Sequence, residues 1–417
     1  MARWLWILAR LRRQLWVRSS LYGLLSIITA LMAIVLDPLI PADAARGLGA
    51  EAVGSILSIV ASSMLAVTTF SLGIMVSAAA TVASGATPRA ASLLAEDAVA
   101  QSALSTFLGA FLFSLVGLVG LNAGVYGAGG QLVLFVSTLF MLGLVVVNVL
   151  RWISQLTVLG RVGEVVDRVE EVAIRAMADY AADPAMGCEP LLPEDCERAP
   201  DGAVAVFCPV VGHVQHIDVA ALSAIAEAAG ARIRVAARPG AFCVPDRPLA
   251  FVLGAEGDDG IGERVARCFT VSDSRSFDQD PRFGLVVLSE IASKALSPGI
   301  NDPGTAIDVV GTLVRVLLPA AGVRAGAVIR PRLSMPVIAA EDLFDDAFGA
   351  IARDGASLVE VAIRLQKVLD TLAAVDDRRF AEAARRMGEE SLERAMAALP
   401  FKGDRRRLRL DRRFAES

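Results

Sequence analysis

Residues that enzymes and metal sites commonly use are scarce in this sequence. It has only two histidines, His213 and His216, and residues three apart on a strand face opposite sides, so a shared metal is not expected. The five cysteines form no Cys-x-x-Cys pair, which argues against a zinc site and favours free thiols in a reducing compartment. Neither a Gly-rich phosphate loop nor a nucleophile–base pair is evident. We therefore predict no metal, no cofactor and no enzyme activity.

Charge is also scarce, and it is unevenly distributed along the chain. Only 20% of the residues are charged, whereas 55% are hydrophobic. Long stretches before residue 151 carry no charge, and charged residues become frequent after it. This asymmetry predicts a membrane half followed by a water-exposed half. The net charge of −5 gives no reason to expect nucleic acid as a partner.

Four apolar segments in the first half are long enough to cross a bilayer, which takes about 20 residues of helix. They lie at about 19–36, 53–84, 103–121 and 131–150. Basic residues precede the first segment and follow the fourth, so both termini are expected in the cytoplasm. An alternative for the first segment is a signal peptide that is cleaved near Ala42-Asp43-Ala44.

The second segment carries a stripe of small and hydroxyl-bearing residues along one helical face. At about 100° per residue the stripe contains the pore-lining candidates Ser55, Ser62, Thr69, Gly73, Ser77 and Ser84. Close packing of helices is one explanation, because small residues let backbones approach and hydroxyls can bond across helices. A water-filled pore in an oligomer is the other. The stripe holds no ionisable residue, which favours passive conduction over coupled transport.

The second half, residues 161–417, has the pattern of an α+β domain in the cytoplasm. An amphipathic helix leads out of the membrane half, residues 1–160, and a Pro- and acid-rich linker is predicted near 183–202. Strand patterns follow up to about residue 254 and indicate a small β-barrel or hairpin element. Helices dominate after Asp258, with one further strand at "RLSMPVIA". The arginine-rich end is interpreted as a solvated terminus, or as a contact with anionic lipid.

A polar corner lies between two apolar helices of this domain, in "ASKALSPGINDPGTAID". Asp280-Pro281 and Asp302-Pro303 each begin a helix, because Asp is a preferred N-cap and Pro suits the first helical position. The polar corner candidates are Glu290, Lys294, Ser297, Asn301, Asp302, Thr305 and Asp308. A satisfied internal network, an ion or ligand site, and a subunit interface are all open for them.

Four stretches resemble one known family. They are "SSMLAVTTFSLGIMVSAAATVASGATPRAASLLAED", "GHVQHIDVAALSAIAEAAG", "RPGAFCVPDRPLAFV" and "RSFDQDPRFGLVVLSEIASKALSPGINDPGTAID". They resemble the DUF2254 family of predicted bacterial membrane proteins, and the resemblance runs from about residue 15 to 370. It implies four membrane spans and a cytoplasmic domain in a bacterial inner membrane. It implies no particular activity.

These observations predict an integral membrane α-helical bundle of four transmembrane helices followed by a cytoplasmic α+β domain. The leading functional hypothesis is a homo-oligomeric, channel-like conduit for a small ion. The second segment would line this conduit, membrane lipid would surround it, and the cytoplasmic domain would control it. The alternative is a membrane-anchored signalling or scaffold protein whose helices only pack together. An enzyme at the membrane surface has the least support.

Overall fold

The computed structural model describes residues 3–12, 14–40, 50–95, 97–191, 199–255, 258–322 and 326–413. The predicted cleavage site at 42–44 and Cys196 lie outside these residues. The chain divides into two compact units. One, here the sheet-containing unit, comprises Met1–Trp6, Gly85–Thr87 and Val165–Ser417. The other, here the helical unit, comprises Ile7–Ser84 and Pro88–Glu164.

Helices account for almost all of the described chain before Thr157, as expected from long apolar runs without interior proline. Their bounds are α1 Arg3–Arg12, α2 Leu15–Leu36, α3 Ala50–Gly85, α4 Pro88–Ala95, α5 Ala98–Asn122 and α6 Ala128–Leu156. The closest helix pairs are α2 with α5 and α5 with α6. Side chains such as Leu57, Phe113 and Leu134 fill the space between the helices and are buried.

Five helices among the described residues are long and apolar enough to cross a membrane. They are Trp16–Leu39, Glu51–Gly85, Ala98–Asn122, Ala128–Leu156 and Pro303–Ala320. The first four correspond to the four predicted segments. The fifth helix is one more than the four spans that were expected. It was not predicted as a membrane span because Asp308 and Arg315 interrupt its apolar run.

One aspartate in the helical unit explains a glycine cluster. The Asp37 carboxylate accepts the backbone N–H of Gly130, at 2.6 Å, at the start of α6. A Cβ on Gly129 would stand 2.7 Å from the Asp37 carbonyl, and one on Gly130 would stand 2.9 Å from the Ala33 carbonyl. Because α6 begins with free N–H groups and the positive end of the helix dipole, the carboxylate stabilises it there.

The sheet-containing unit holds two separate sheets and nine helices in the part of the chain that the structure describes, counting α7, which begins at Val162. The strands are β1 Cys188–Leu191, β2 Val204–Phe207, β3 Gly212–Ile217, β4 Arg232–Val235, β5 Phe242–Cys243, β6 Pro248–Leu253, β7 Phe269–Ser272 and β8 Arg330–Pro336. The helices are α7 Val162–Ala182, α8 Val219–Ala228, α9 Ile261–Ala266, α10 Pro281–Ala295, α11 Pro303–Leu317, α12 Ala340–Asp354, α13 Val359–Ala373, α14 Arg378–Ala398 and α15 Lys402–Arg413.

The sheets differ from the small barrel or hairpin that the sequence suggested. The first sheet has the order β1-β8-β4-β6-β2, in which β8 is parallel to both neighbours. The second has the order β5-β3-β7 and is antiparallel. Strand β1 lies inside the predicted linker, and the linker prediction was wrong for this strand. Its partner β8 follows much later in the chain, so their pairing leaves no local signal in the sequence.

The helices α10 to α14 pack against one another. A glycine in α10 also permits a close approach of α10 to α7. Gly284 of α10 faces Ala173 of α7, and a Cβ at residue 284 would overlap the Ala173 side chain and stand 3.0 Å from its Cα. Gly349 of α12 offers a contrast, because no atom lies within 4 Å of a Cβ built there.

Gly284→Ala should therefore destabilise the protein by about 1–3 kcal/mol, because overpacking forces α7 and α10 apart. Gly349→Ala is the matched control and should be neutral or slightly stabilising, since alanine is the better helix former. Thermal melting of both detergent-solubilised variants measures this. Equal melting temperatures for the two variants would contradict the close approach.

Candidate functional site

The stripe on α3 is uncovered within a single chain. Its six pore-lining candidates, Ser55, Ser62, Thr69, Gly73, Ser77 and Ser84, are all exposed. No atom of the described chain lies within 4 Å of a Cβ built on Gly73. The stripe is thus not used for packing inside the monomer, which was one of the two explanations for it.

The buried face of α3 lies on the opposite side of the helix. Val53, Leu57, Val60 and Met64 are buried against the rest of the helical unit. At about 100° per residue these side chains point about 140–180° away from Ser55. Bulky exposed residues flank the stripe, among them Leu65 at 50% and Phe70 at 68% exposure. The stripe is therefore a narrow small-residue surface between two bulky margins.

Three of the five hydroxyls of the stripe are hydrogen-bonded to their own helix. Ser62 donates to the carbonyl of Ser58 at 3.0 Å, Thr69 to that of Leu65 at 3.0 Å, and Ser84 to that of Thr81 at 2.8 Å. Each hydroxyl keeps an acceptor lone pair that can face water or a partner. The surface is therefore mildly polar, and three of its five hydroxyls are bonded within α3.

The Asp302 end of the polar corner is an exposed capped turn. Asp302 accepts the N–H of Thr305 at 3.1 Å and its hydroxyl at 2.6 Å, which is the predicted N-cap of α11. These bonds lower the pKa of the Asp302 carboxyl. The turn also needs a left-handed backbone, which Asn301 supplies at φ +52.

The remaining corner candidates lie on the turn before this cap and on the helices α10 and α11. Ser297 donates to the carbonyl of Lys294 at 2.6 Å, at the end of α10. Glu290 and Lys294 are half-buried on α10, whereas Asp308 is exposed on α11. The structure thus brings Asp302 and Thr305 together in the cap, and it joins Ser297 to Asn301 through a backbone bond in the same turn.

Charged pairs that were not predicted from the sequence lie around the start of α10. The Asp280 carboxylate, the N-cap of α10, is buried and accepts from Arg275 at 2.7 and 3.0 Å. Burial raises the pKa of Asp280, although Arg275 opposes the shift. Arg282 pairs with Asp342 at 2.9 Å and with Asp346 at 2.5 Å. The motif "RSFDQDPR" contains the first three of these residues, but the partners of Arg282 lie on α12, far from it along the chain.

Gly240 belongs to the same cluster, in the "RPGAF" stretch. Its φ is +91, and a Cβ there would overlap the Asp280 carboxylate. Glycine is therefore required both by conformation and by space.

Cysteines and histidines of the sheet-containing unit occupy structural positions. Cys188, Cys208, Cys243 and Cys268 are buried free thiols, and burial raises the pKa of Cys188 to about 12 and of Cys243 to about 11. His213 contacts Phe242, with ring centroids 5.1 Å apart, and His216 stacks on Trp6 at 5.0 Å. Among the described residues no group of three or more His, Cys, Asp or Glu could hold a metal.

Comparisons with known proteins identify a family and three relatives. A family model described as "Predicted membrane protein (DUF2254)" matches residues 12–371, which is more than half of the chain. Uncharacterized proteins of Mycobacterium bovis and of two strains of Mycobacterium tuberculosis are each 33% identical over 123 residues. The alignment covers 28% of this chain and 23% of each relative. No solved structure matches.

Asp302→Ala should loosen the first turn of α11 by about 1 kcal/mol at pH 7, because it removes the N-cap. Amides of residues 304–307 should then exchange hydrogen about fivefold faster, measured by mass spectrometry. Since the folded pKa is lowered, this difference should be full above the carboxyl's ordinary value of 3.8 and shrink as the pH falls through the folded pKa.

Asp308→Ala is the control for this test. Asp308 is exposed on the same helix, and it is not the N-cap. Its replacement should leave the exchange of residues 304–307 almost unchanged. Equal effects of the two variants at pH 7 would show that the Asp302 cap contributes nothing.

Proposed function

The chain belongs to the DUF2254 family of predicted membrane proteins, and we propose that it forms an oligomeric conduit for small ions across a bacterial inner membrane. In this proposal copies of α3 surround a central path, and the stripe faces that path. The observation that carries the proposal is the exposure of all six stripe candidates in one chain, opposite the buried face of the same helix.

The stripe has the composition that a narrow aqueous path needs. Its hydroxyls and backbone carbonyls can exchange hydrogen bonds with water or with an ion that keeps part of its hydration. No acidic or basic side chain interrupts it, so neither a strong ion trap nor a proton relay is built into the face. Bulky margins such as Phe70 and Val76 are suited to contact neighbouring helices or lipid tails.

The proposal uses four membrane spans: α2, α3, α5 and α6. The fifth apolar helix, Pro303–Ala320, is assigned to the sheet-containing unit because Val309, Leu313 and Val316 are buried in that unit. In addition, Arg315 forms an ion pair with Glu170 of α7 on its polar side. Four spans place both termini on one side, and the basic residues before α2 put that side in the cytoplasm.

Control of the conduit by the sheet-containing unit is proposed because the chain passes from the end of α3 into that unit. The helix that would line the path ends at Gly85, and Gly85–Thr87 belong to the sheet-containing unit. A ligand or modification that shifts this segment would act directly on the end of α3. The Asp302 corner is the second element of this proposal, as a rigid capped turn that transmits such a shift.

A second candidate, a membrane-anchored scaffold, is favoured by one observation. Three of the five stripe hydroxyls are already bonded to carbonyls of α3, so this part of the face can pack on another copy without water. Small residues promote such contacts between membrane helices. In this case α3 would join subunits and no path would exist.

Ser62→Leu and Thr69→Leu should reduce ion flux into liposomes about tenfold or more, because each adds a bulky side chain to a narrow lumen. Ser63→Leu is the matched control: it is the same substitution one residue on, also exposed, and about 100° round the helix from Ser62. It should leave the flux within about twofold of the wild type. Flux of K⁺ and Cl⁻ is measured with the purified protein.

Two results would contradict the conduit. One is the absence of flux from folded, reconstituted wild-type protein, which would favour the scaffold. The other is an equal loss of flux in Ser62→Leu and Ser63→Leu, which would move the path off the stripe. Thermal melting of each variant shows that a loss of flux is not a loss of fold.

A further inference from the structure

The arginine-rich end of the chain forms a helix that is fixed to the sheet-containing unit. Leu408 of α15 is fully buried, in a cluster with Ala362 of α13, Ala395 of α14 and Leu399, which directly follows α14. The Arg405 side chain also donates to the carbonyl of Leu399. One face of α15 is therefore held, and its other face has a defined direction. The interpretation of this segment as a solvated terminus misses this anchoring.

The free face of α15 is basic. Lys402, Arg406 and Arg409 are exposed, and at about 3.6 residues per turn they lie within about 60° of one another. No acidic side chain of the described chain lies within ion-pair distance of these three. Asp404, the acidic residue nearest to Lys402 in sequence, is 3.9 Å from Arg407 and lies on another side of the helix.

An exposed aromatic residue begins this face. Phe401 directly precedes Lys402, and 67% of its surface is accessible. Its ring lies against Gly403, where a Cβ would overlap it. A large apolar side chain beside a cluster of cations is the combination found where protein segments lie on a bilayer: the cations bind lipid phosphates and the ring enters the interface.

We propose that Phe401, Lys402, Arg406 and Arg409 form a docking surface for the headgroups of anionic lipids. The chain is already a membrane protein, so a lipid surface is within reach of the tethered unit at high effective concentration. Each basic residue near an anionic leaflet adds to the attraction, which salt weakens. This surface is independent of the conduit, because it requires only that the protein be embedded in the membrane.

An anionic bilayer fits these residues better than a nucleic acid does. The surface is small and has three exposed cations. The Phe401 ring suits the apolar interface of a bilayer, whereas the phosphate backbone of a nucleic acid offers it no apolar contact. The whole chain is moreover negative, at −5, which opposes a large polyanion.

Hydrogen exchange of the full-length protein in lipid nanodiscs tests this surface. Amides of residues 402–413 are compared in discs of phosphatidylcholine alone and in discs of phosphatidylcholine mixed with phosphatidylglycerol. Exchange should be about fivefold slower in the anionic discs at low salt, and the difference should disappear in about 0.5 M NaCl. The variant Lys402→Gln/Arg406→Gln/Arg409→Gln keeps Leu408 and Arg405, and it should show no difference between the discs.

A second triple variant controls for net charge. Arg247→Gln/Arg364→Gln/Arg379→Gln removes three exposed cations from elsewhere in the same unit and should keep the lipid effect. Identical exchange of wild-type protein in the two discs would overturn the proposal, as would an equal loss of the effect in both triple variants. Protection in neutral discs by a DNA duplex or by inorganic phosphate, without an effect of phosphatidylglycerol, would overturn it in favour of another anion.

Discussion

The hydrogen-bond requirement of a hydrocarbon environment is the constraint on which the structure of α3 depends. Water is absent there, so each backbone and hydroxyl group must find its partner in the protein. Along the stripe, Ser62, Thr69 and Ser84 meet this requirement through carbonyls of their own helix. No other part of the described chain covers these hydroxyls. The contacts of α3 with the rest of the helical unit are made by its opposite face. The exposed stripe is left for a partner copy or for water.

The same Asp-Pro start serves two different environments in the sheet-containing unit. Asp280 caps α10 while buried, and burial raises its pKa even though Arg275 pairs with it. Asp302 caps α11 while exposed, and bonds from Thr305 lower its pKa. The Asp280 cap belongs to a group of charged pairs with little free space around it, because a Cβ on Gly240 would overlap the Asp280 carboxylate. The second cap is a local turn that the N–H and the hydroxyl of Thr305 hold in place.

Features encoded within one turn or one helix could be predicted from the sequence. The four long apolar helices, the caps at Asp280 and Asp302, and the stripe all follow from local composition and period. Contacts between segments that are distant along the chain could not be predicted from the sequence. Such contacts depend on how the fold brings distant parts of the chain together, as in the pairs Arg282–Asp346, Arg315–Glu170 and β1–β8. The seven corner candidates stay a prediction as a set, of which the capped turn of Asp302 and Thr305 is the part that local sequence encodes.

The number of copies tests the central claim most directly, because a stripe on α3 can enclose a path only in a ring. Native mass spectrometry of the protein released from membrane vesicles gives this number without detergent exchange. The conduit predicts a single assembly of three or more copies. A monomer or a dimer as the sole species would contradict it, since neither can surround a path with the stripe of α3 alone.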